Sequence, residues 1–136
     1  THLMPLATIV TPNLPEAQIL AELPNGTADE CAQVLLQHCQ HLLITGGHGD
    51  ETQVHNRLYC ADGSTHTFTC ARLPGEYHGS GCTLASALSG RLALGQELVT
   101  AVEFALNYTW RSLRDAEAPG HGQYIPRRLP LDFCRS

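Results

Sequence analysis

Leu73-Pro-Gly-Glu-Tyr-His-Gly-Ser-Gly-Cys-Thr-Leu-Ala-Ser-Ala-Leu-Ser-Gly90 is the stretch whose reading decides the fold. Gly79 and Gly81 bracket Ser80 just before a run of small residues that opens at Cys82. A strand-to-helix turn has this composition when its backbone N–H groups must face an anion. Glycine takes tight dihedrals and lets a ligand approach the backbone closely. The helix start then supplies unpaired N–H donors and the positive end of the macrodipole. A thiol placed there is favoured as thiolate, which makes Cys82 a candidate base or nucleophile. The plainer alternative is that the glycines only cap a packed helix and Cys82 is a small buried hydrophobe, since short glycine patterns recur by chance.

Working outward, the chain of 136 residues has the length of a single domain, 1–136. It is 43% hydrophobic and 15% charged, which suits a globular core. A net charge of −5 argues against nucleic acid as a partner, because phosphate binding needs a basic face. No apolar run approaches the roughly 20 residues that span a bilayer, and no secretory leader pattern opens the chain, so a cytoplasmic protein with no membrane partner is expected. The six cysteines (Cys31, Cys39, Cys60, Cys70, Cys82 and Cys134) form no Cys-x-x-Cys pair and fall mostly in apolar runs, where free cysteine behaves as core. His38 and His41 sit three apart, but no further ligand follows at metal spacing, so zinc is not expected.

Upstream of the turn, Leu6 to Thr11 is short, apolar and β-branched, the pattern of a strand buried on both faces. Thr11-Pro12-Asn13 stops it, and Asn13 caps a helix predicted over Leu14 to Leu23. Pro24-Asn25-Gly26 closes that helix as a turn. Thr27 and Glu30 form a capping box for a second helix, with Cys31, Val34, Leu35 and either His38 or Cys39 inward. His41 to Thr45 is again a short apolar strand, ending at Gly46-Gly47-His48-Gly49. Strand, helices, strand is the order of a parallel crossover, with ligands at the carboxyl ends of the strands. Thr11 to Asn13 and Thr45 to Gly47 both lie at such ends.

Val54 to Cys60 and Ser64 to Arg72 read as a hairpin around Ala61-Asp62-Gly63. In its second strand His66, Phe68 and Cys70 alternate with Thr67, Thr69 and Ala71, one face covered and one wet. After the turn a helix runs from about Gly81 to Leu94. Its small residues Ala85, Ser86, Ala87, Ser89 and Gly90 suggest close approach to a sheet, and Gly95 ends it. Glu97 to Glu117 is the longest helix, with Leu98, Val102, Ala105, Leu106, Thr109 and Leu113 on one stripe. The tail from Ile125 carries Leu129, Leu131 and Phe133, which predicts that it packs back. Asn13 and Glu16 have two readings, a capping box and a magnesium site in which Glu16 acts through water.

Three segments in order, Thr11-Pro-Asn-Leu-Pro-Glu-Ala17, Ile44-Thr-Gly-Gly-His48 and His78-Gly-Ser-Gly-Cys-Thr-Leu84, closely resemble the second half of the hydroxymethylpyrimidine/phosphomethylpyrimidine kinases. These belong to the ribokinase-like superfamily and act in thiamine biosynthesis. Most ribokinase relatives carry aspartate where this family and some pyridoxal-type kinases carry the cysteine. The resemblance implies a three-layer α/β/α fold with a mostly parallel sheet, present here as its carboxyl-terminal half plus a β-hairpin. It implies MgATP-dependent phosphorylation of hydroxymethylpyrimidine or its monophosphate by a homodimer. Asn13 and Glu16 match the element that organises Mg2+ and phosphates, with Glu16 toward the metal. Gly79, Ser80 and Gly81 match the anion hole, and Cys82 the base. The loop holding Thr45 and Gly47 matches one lying along the ATP phosphates.

Two departures stand out: Thr45 where family members often carry lysine, and no counterpart of the family's glycine-rich amino-terminal segment. The second leads to the expectation that this chain alone is inactive. A pyridoxal kinase with the same turn, a non-catalytic nucleotide- or partner-binding remnant, and a cysteine hydrolase at Cys82 are the alternatives; the last lacks a carboxylate to orient His78.

Overall fold

The structure, a computed structural model, describes residues 3–47, 52–73 and 80–115. It divides into two compact units, Thr1–Arg72 and Leu73–Ser136. The expectations for the tail from Ile125, for Gly79 and for His48 and Gly49 fall outside the described residues.

In the first unit, Met4–Leu6 forms a 3-10 turn rather than the start of a strand, with Pro5 in its first positions. Leu6 is 83% exposed. The strand expected from Leu6 is therefore shorter, and pairing starts only at Val10. There Val10 N–H donates to His41 O at 3.0 Å, Leu43 N–H to Val10 O at 2.8 Å and Thr45 N–H to Pro12 O at 3.0 Å. Apolar character alone does not make a strand; a partner backbone does.

Asn13 caps α1 (Leu14–Leu20), which stops three residues short of the expected Leu23. Glu22 takes a left-handed φ of +57° just beyond it. Leu23 N–H bonds Gln18 O at 2.9 Å and Glu22 N–H bonds Ile19 O at 3.2 Å, the paired bonds of a Schellman ending. The turn to Gly26 follows. A Cβ on Gly26 would sit 2.9 Å from Leu23 Cβ and 3.2 Å from Cys31 Sγ, so close packing demands glycine there. Thr27 and Glu30 form the expected capping box on α2 (Ala28–Leu35). Of the two candidates for the end of its inward stripe, Cys39 is buried and His38 exposed.

β1 (Leu42–Gly47), β2 (Gln53–Tyr59) and β3 (Thr65–Ala71) form a sheet in that order, both pairs antiparallel. Parallel pairing within the described residues is confined to the bridges Val10–Leu42 and Asn13–Thr45, so α1 and α2 connect two parallel segments as expected. The β2–β3 hairpin turns through Gly63 at φ +85°, with Asp62 accepting from Ser64 N–H at 2.9 Å. β3 alternates as read, Thr65, Thr67, Thr69 and Ala71 exposed, His66, Phe68 and Cys70 half-covered.

One sheet face brings Leu42, Ile44 and Tyr59 against Ala17, Cys31, Ala32 and Leu35 of the helices. Burying each large aliphatic side chain there contributes roughly 1.5–3 kcal/mol. Asp29 at the start of α2 ties to the same face, its Oδ1 accepting from Tyr59 Oη–H at 2.7 Å and Arg57 NH1 at 3.1 Å. Burial first, then that bond, pushes the Tyr59 phenol well up from its ordinary pKa. On the opposite face Leu43, Leu58 and Asn56 are buried.

The second unit holds α3 (Ser80–Ala93) and α4 (Leu98–Arg114). Between them Gly95 sits at φ +82°, with Gly95 N–H to Leu92 O at 3.0 Å and Gln96 N–H to Arg91 O at 3.2 Å, a second Schellman ending. Thr83, Leu84 and Leu88 are buried on α3, and Ala101, Val102, Ala105, Thr109 and Ser112 on α4. The expected α4 stripe holds at Val102, Ala105 and Thr109 and gains Ala101 and Ser112. On α3 Ala85, Ser86, Ser89 and Gly90 are exposed, and a Cβ at Gly90 would meet nothing within 4 Å. Among the described residues no helix is long and apolar enough to cross a membrane.

Candidate active site

In the first unit, the sequence-selected residues Asn13, Glu16, Thr45 and Gly47 gather at one end of the sheet. The Asn13–Thr45 bridge sets the two chain segments side by side. Asn13 Oδ1 accepts from Glu16 N–H at 2.8 Å, and Glu16 Oε2 accepts from Asn13 N–H at 2.9 Å. The capping box is thus formed. It occupies one carboxylate oxygen with a backbone bond and leaves Glu16 exposed at the rim. Beside it lies a shallow, mainly apolar concavity of about 410 Å³ lined by Val10, Thr11, Pro12, Glu16, Ile19 and Leu20.

β1 does not run straight to its end. Its register against β2 shifts between Ile44 and Gly47, and Gly46 takes φ +64°. Gly46 N–H donates to Asn56 Oδ1 at 3.1 Å. Sequence reasoning passed over Asn56, although a signal existed: it sits on the inward face between Val54 and Leu58, where an apolar residue is the rule. Thr45 is half-buried, and a side chain of its length brings no cation to this rim.

In the second unit, Ser80, Gly81 and Cys82 form the first turn of a 14-residue helix, and Cys82 is exposed as a free thiol. That overturns the alternative of a buried core cysteine. A Cβ at Gly81 would meet nothing within 4 Å, and its φ is not left-handed, so neither packing nor backbone strain requires glycine there. Cys82 also lines a cavity of about 470 Å³ with Thr83, Ser86, Ala87, Phe104 and Tyr108. The Phe104 and Tyr108 rings stack at 6.2 Å and 15°, and Arg91 Cζ stands 3.4 Å over the Phe104 ring. Phe104 and Tyr108 are four apart on one helix, a spacing the sequence displayed.

Among the described residues no three His, Cys, Asp or Glu converge to hold a metal. The donor set fits a hard cation held by one carboxylate, water and phosphate oxygens rather than an all-protein cage.

The sequence profile described as phosphomethylpyrimidine kinase matches residues 1–127. A hydroxymethylpyrimidine/phosphomethylpyrimidine kinase of Synechococcus elongatus is 38% identical, covering 90% of this chain and 48% of its own. Among solved structures, the pyridoxal kinase from Staphylococcus aureus in complex with AMP-PCP and pyridoxal superposes with a TM-score of 0.85 at 26% identity, over 94% of this chain and 50% of that one. A putative phosphomethylpyrimidine kinase from Bacteroides thetaiotaomicron, in a crystal form with pyridoxal, gives 0.74 at 28% identity, over 88% of this chain and 46% of that one. The chain spans about half the length of the relatives it matches. The ribokinase-like α/β class and the resemblance stated from the three motifs are both borne out. The chain belongs to the phosphomethylpyrimidine kinase family.

Proposed function

We propose that this chain is the carboxyl-terminal half of a kinase domain that uses MgATP to phosphorylate hydroxymethylpyrimidine or its monophosphate. The observation that carries the reading is the profile match over residues 1–127, with all three motifs inside it. Asn13 and Glu16 organise Mg2+ and the phosphates, Glu16 through water, and Thr45 and Gly47 border the nucleotide. Gly79, Ser80 and Gly81 present backbone N–H groups to the transferring phosphoryl group, where negative charge grows. Mg2+ supplies charge neutralisation and orientation of the phosphate chain. Cys82, exposed at the helix start, accepts the proton of the attacking hydroxyl. Most of the rate comes from positioning and electrostatics, as phosphoryl transfer generally demands. Thr45 in place of lysine leaves that rim one cation poorer, so the backbone donors carry more of the charge.

A pyridoxal-type substrate is the second reading. It is favoured by two neighbours described with pyridoxal, one of them itself a putative phosphomethylpyrimidine kinase. A cytoplasmic homodimer belongs to the same proposal, and light scattering on the full chain tests the assembly. The function is tested by measuring ADP release by the complete kinase domain that carries this chain, with MgATP and, separately, hydroxymethylpyrimidine, its monophosphate and pyridoxal. Turnover with either pyrimidine supports the first reading, and turnover with pyridoxal alone supports the second. Nucleotide binding without turnover on any of the three leaves a non-catalytic remnant and refutes both.

A further inference from the structure

We propose that Asn56 is a positioning residue for the nucleotide rim, holding the backbone of Thr45 to Gly47 in the geometry that faces the phosphates; this rests on the kinase reading above. The ladder pairs Ile44 with Arg57 and then Gly47 with His55. Thr45 and Gly46 on β1 therefore stand opposite Asn56 alone on β2, the two-against-one count of a bulge. A bulge leaves a backbone donor without its ladder partner. Here the orphan is Gly46 N–H, and the Asn56 side chain takes the missing place, Oδ1 accepting at 3.1 Å.

Asn56 is itself well fixed. It is 6% exposed, its backbone pairs with Phe68 on β3, and its side chain lies beside Cys70. A buried primary amide costs free energy unless its polar atoms find partners, and Gly46 N–H supplies the one for Oδ1. From the other side Thr45 N–H is held by Pro12 O at 3.0 Å. The segment is thus gripped on both edges, by a backbone carbonyl at Thr45 and by one side chain at Gly46. Gly46 needs the second grip more, because glycine at φ +64° has many other conformations available once its bond is lost. Loss of Asn56 Oδ1 should loosen the bulge and turn Thr45 and Gly47 away from a common direction, while the sheet on either side keeps its pairing.

A purely structural role predicts lost stability only. A positioning role predicts lost nucleotide affinity that the acceptor alone restores. The test uses the complete kinase domain that carries this chain, with calorimetric binding of MgAMP-PCP, ATP and alcohol-substrate KM values, and thermal midpoints without nucleotide. Asn56→Ala should raise the nucleotide Kd and the ATP KM about tenfold, with the alcohol-substrate KM unchanged. Asn56→Asp keeps an oxygen acceptor and should bind nucleotide within about threefold of the parent, although its contact with Cys70 is altered. Parent-like nucleotide affinity in a destabilised Asn56→Ala overturns the inference. Where Asn56→Ala does not fold, Asn56→Asp decides: a folded Asp variant that binds nucleotide more than about tenfold worse overturns it as well. A parent protein with no affinity for MgAMP-PCP overturns the kinase reading itself, an outcome distinct from a variant that differs from a binding parent.

Discussion

Glu16 is asked to do two things, and substitution separates them. Its Oε2 accepts from Asn13 N–H at 2.9 Å while Asn13 Oδ1 accepts from Glu16 N–H at 2.8 Å. Glutamine at 16 keeps an oxygen for the first bond and the backbone donor for the second, and loses only the charge at the helix start. That charge is worth about 0.3–1 kcal/mol at an exposed terminus. Alanine at 16 loses the charge and the bond to Asn13 N–H, a further ~0.5–1.5 kcal/mol. Each kcal/mol moves the thermal midpoint of a domain of this size by roughly 3–5 °C. Glu16→Gln should then lower the midpoint by about 1–5 °C and Glu16→Ala by about 2–12 °C. Nucleotide binding should sort the pair differently: both should lose most of the difference between ATP affinity with and without magnesium, because both lack the carboxylate. Calorimetric titration of the full chain with ATP, with and without magnesium, reads this directly. Full magnesium dependence in Glu16→Gln would refute a metal role and leave Glu16 as half of a helix cap.

Cys82→Ala in a complete enzyme carrying this turn should lower turnover by about two to four orders of magnitude with ATP affinity unchanged, since the anion is met by backbone donors; steady-state kinetics beside calorimetry checks both, and full activity would leave the thiol without a role as base. Glu22→Gly should stabilise the chain by about 0.5–1 kcal/mol, because Glu22 holds φ +57° at the Schellman position where glycine is unstrained. Denaturant midpoints measure the gain, and a destabilised variant would show that Glu22 makes contacts worth more than its strain.

The parts of this fold that could be read directly are those fixed within a few residues. Thr27 and Glu30 cap α2, and the bonds that do so join positions three apart. Asp62-Gly63 turns the hairpin for the same local reason, and β3 shows its two faces because alternation is a property of one strand. Leu6 failed because nothing local distinguishes an apolar strand residue from an apolar turn residue beside a proline; the deciding bonds come from His41 and Leu43, more than 30 residues on. At the site, Asn13, Glu16 and Thr45 were found through motifs, and their bridge confirms that the first and third lie side by side. Asn56 was missed because its partner, Gly46, owes its orphaned N–H to a bulge, and a bulge is a mismatch between two strands that neither displays alone.

The cysteines, described above as core or candidate base, also grade the chain by accessibility. Cys31, Cys39 and Cys60 are buried in the first unit, Cys70 is half-covered, and Cys82 opens to solvent in the second. A thiol reagent can reach the buried three only when the structure around them opens, so their labelling rates under native conditions clock that opening, much as amide exchange does. Cys82 reacts without any opening, and a free cysteine peptide under the same conditions supplies the intrinsic rate. One time course, resolved by peptide mass, therefore yields the local opening free energy of the first unit without denaturant, and repeating it with ligand shows how much of that unit the ligand holds shut.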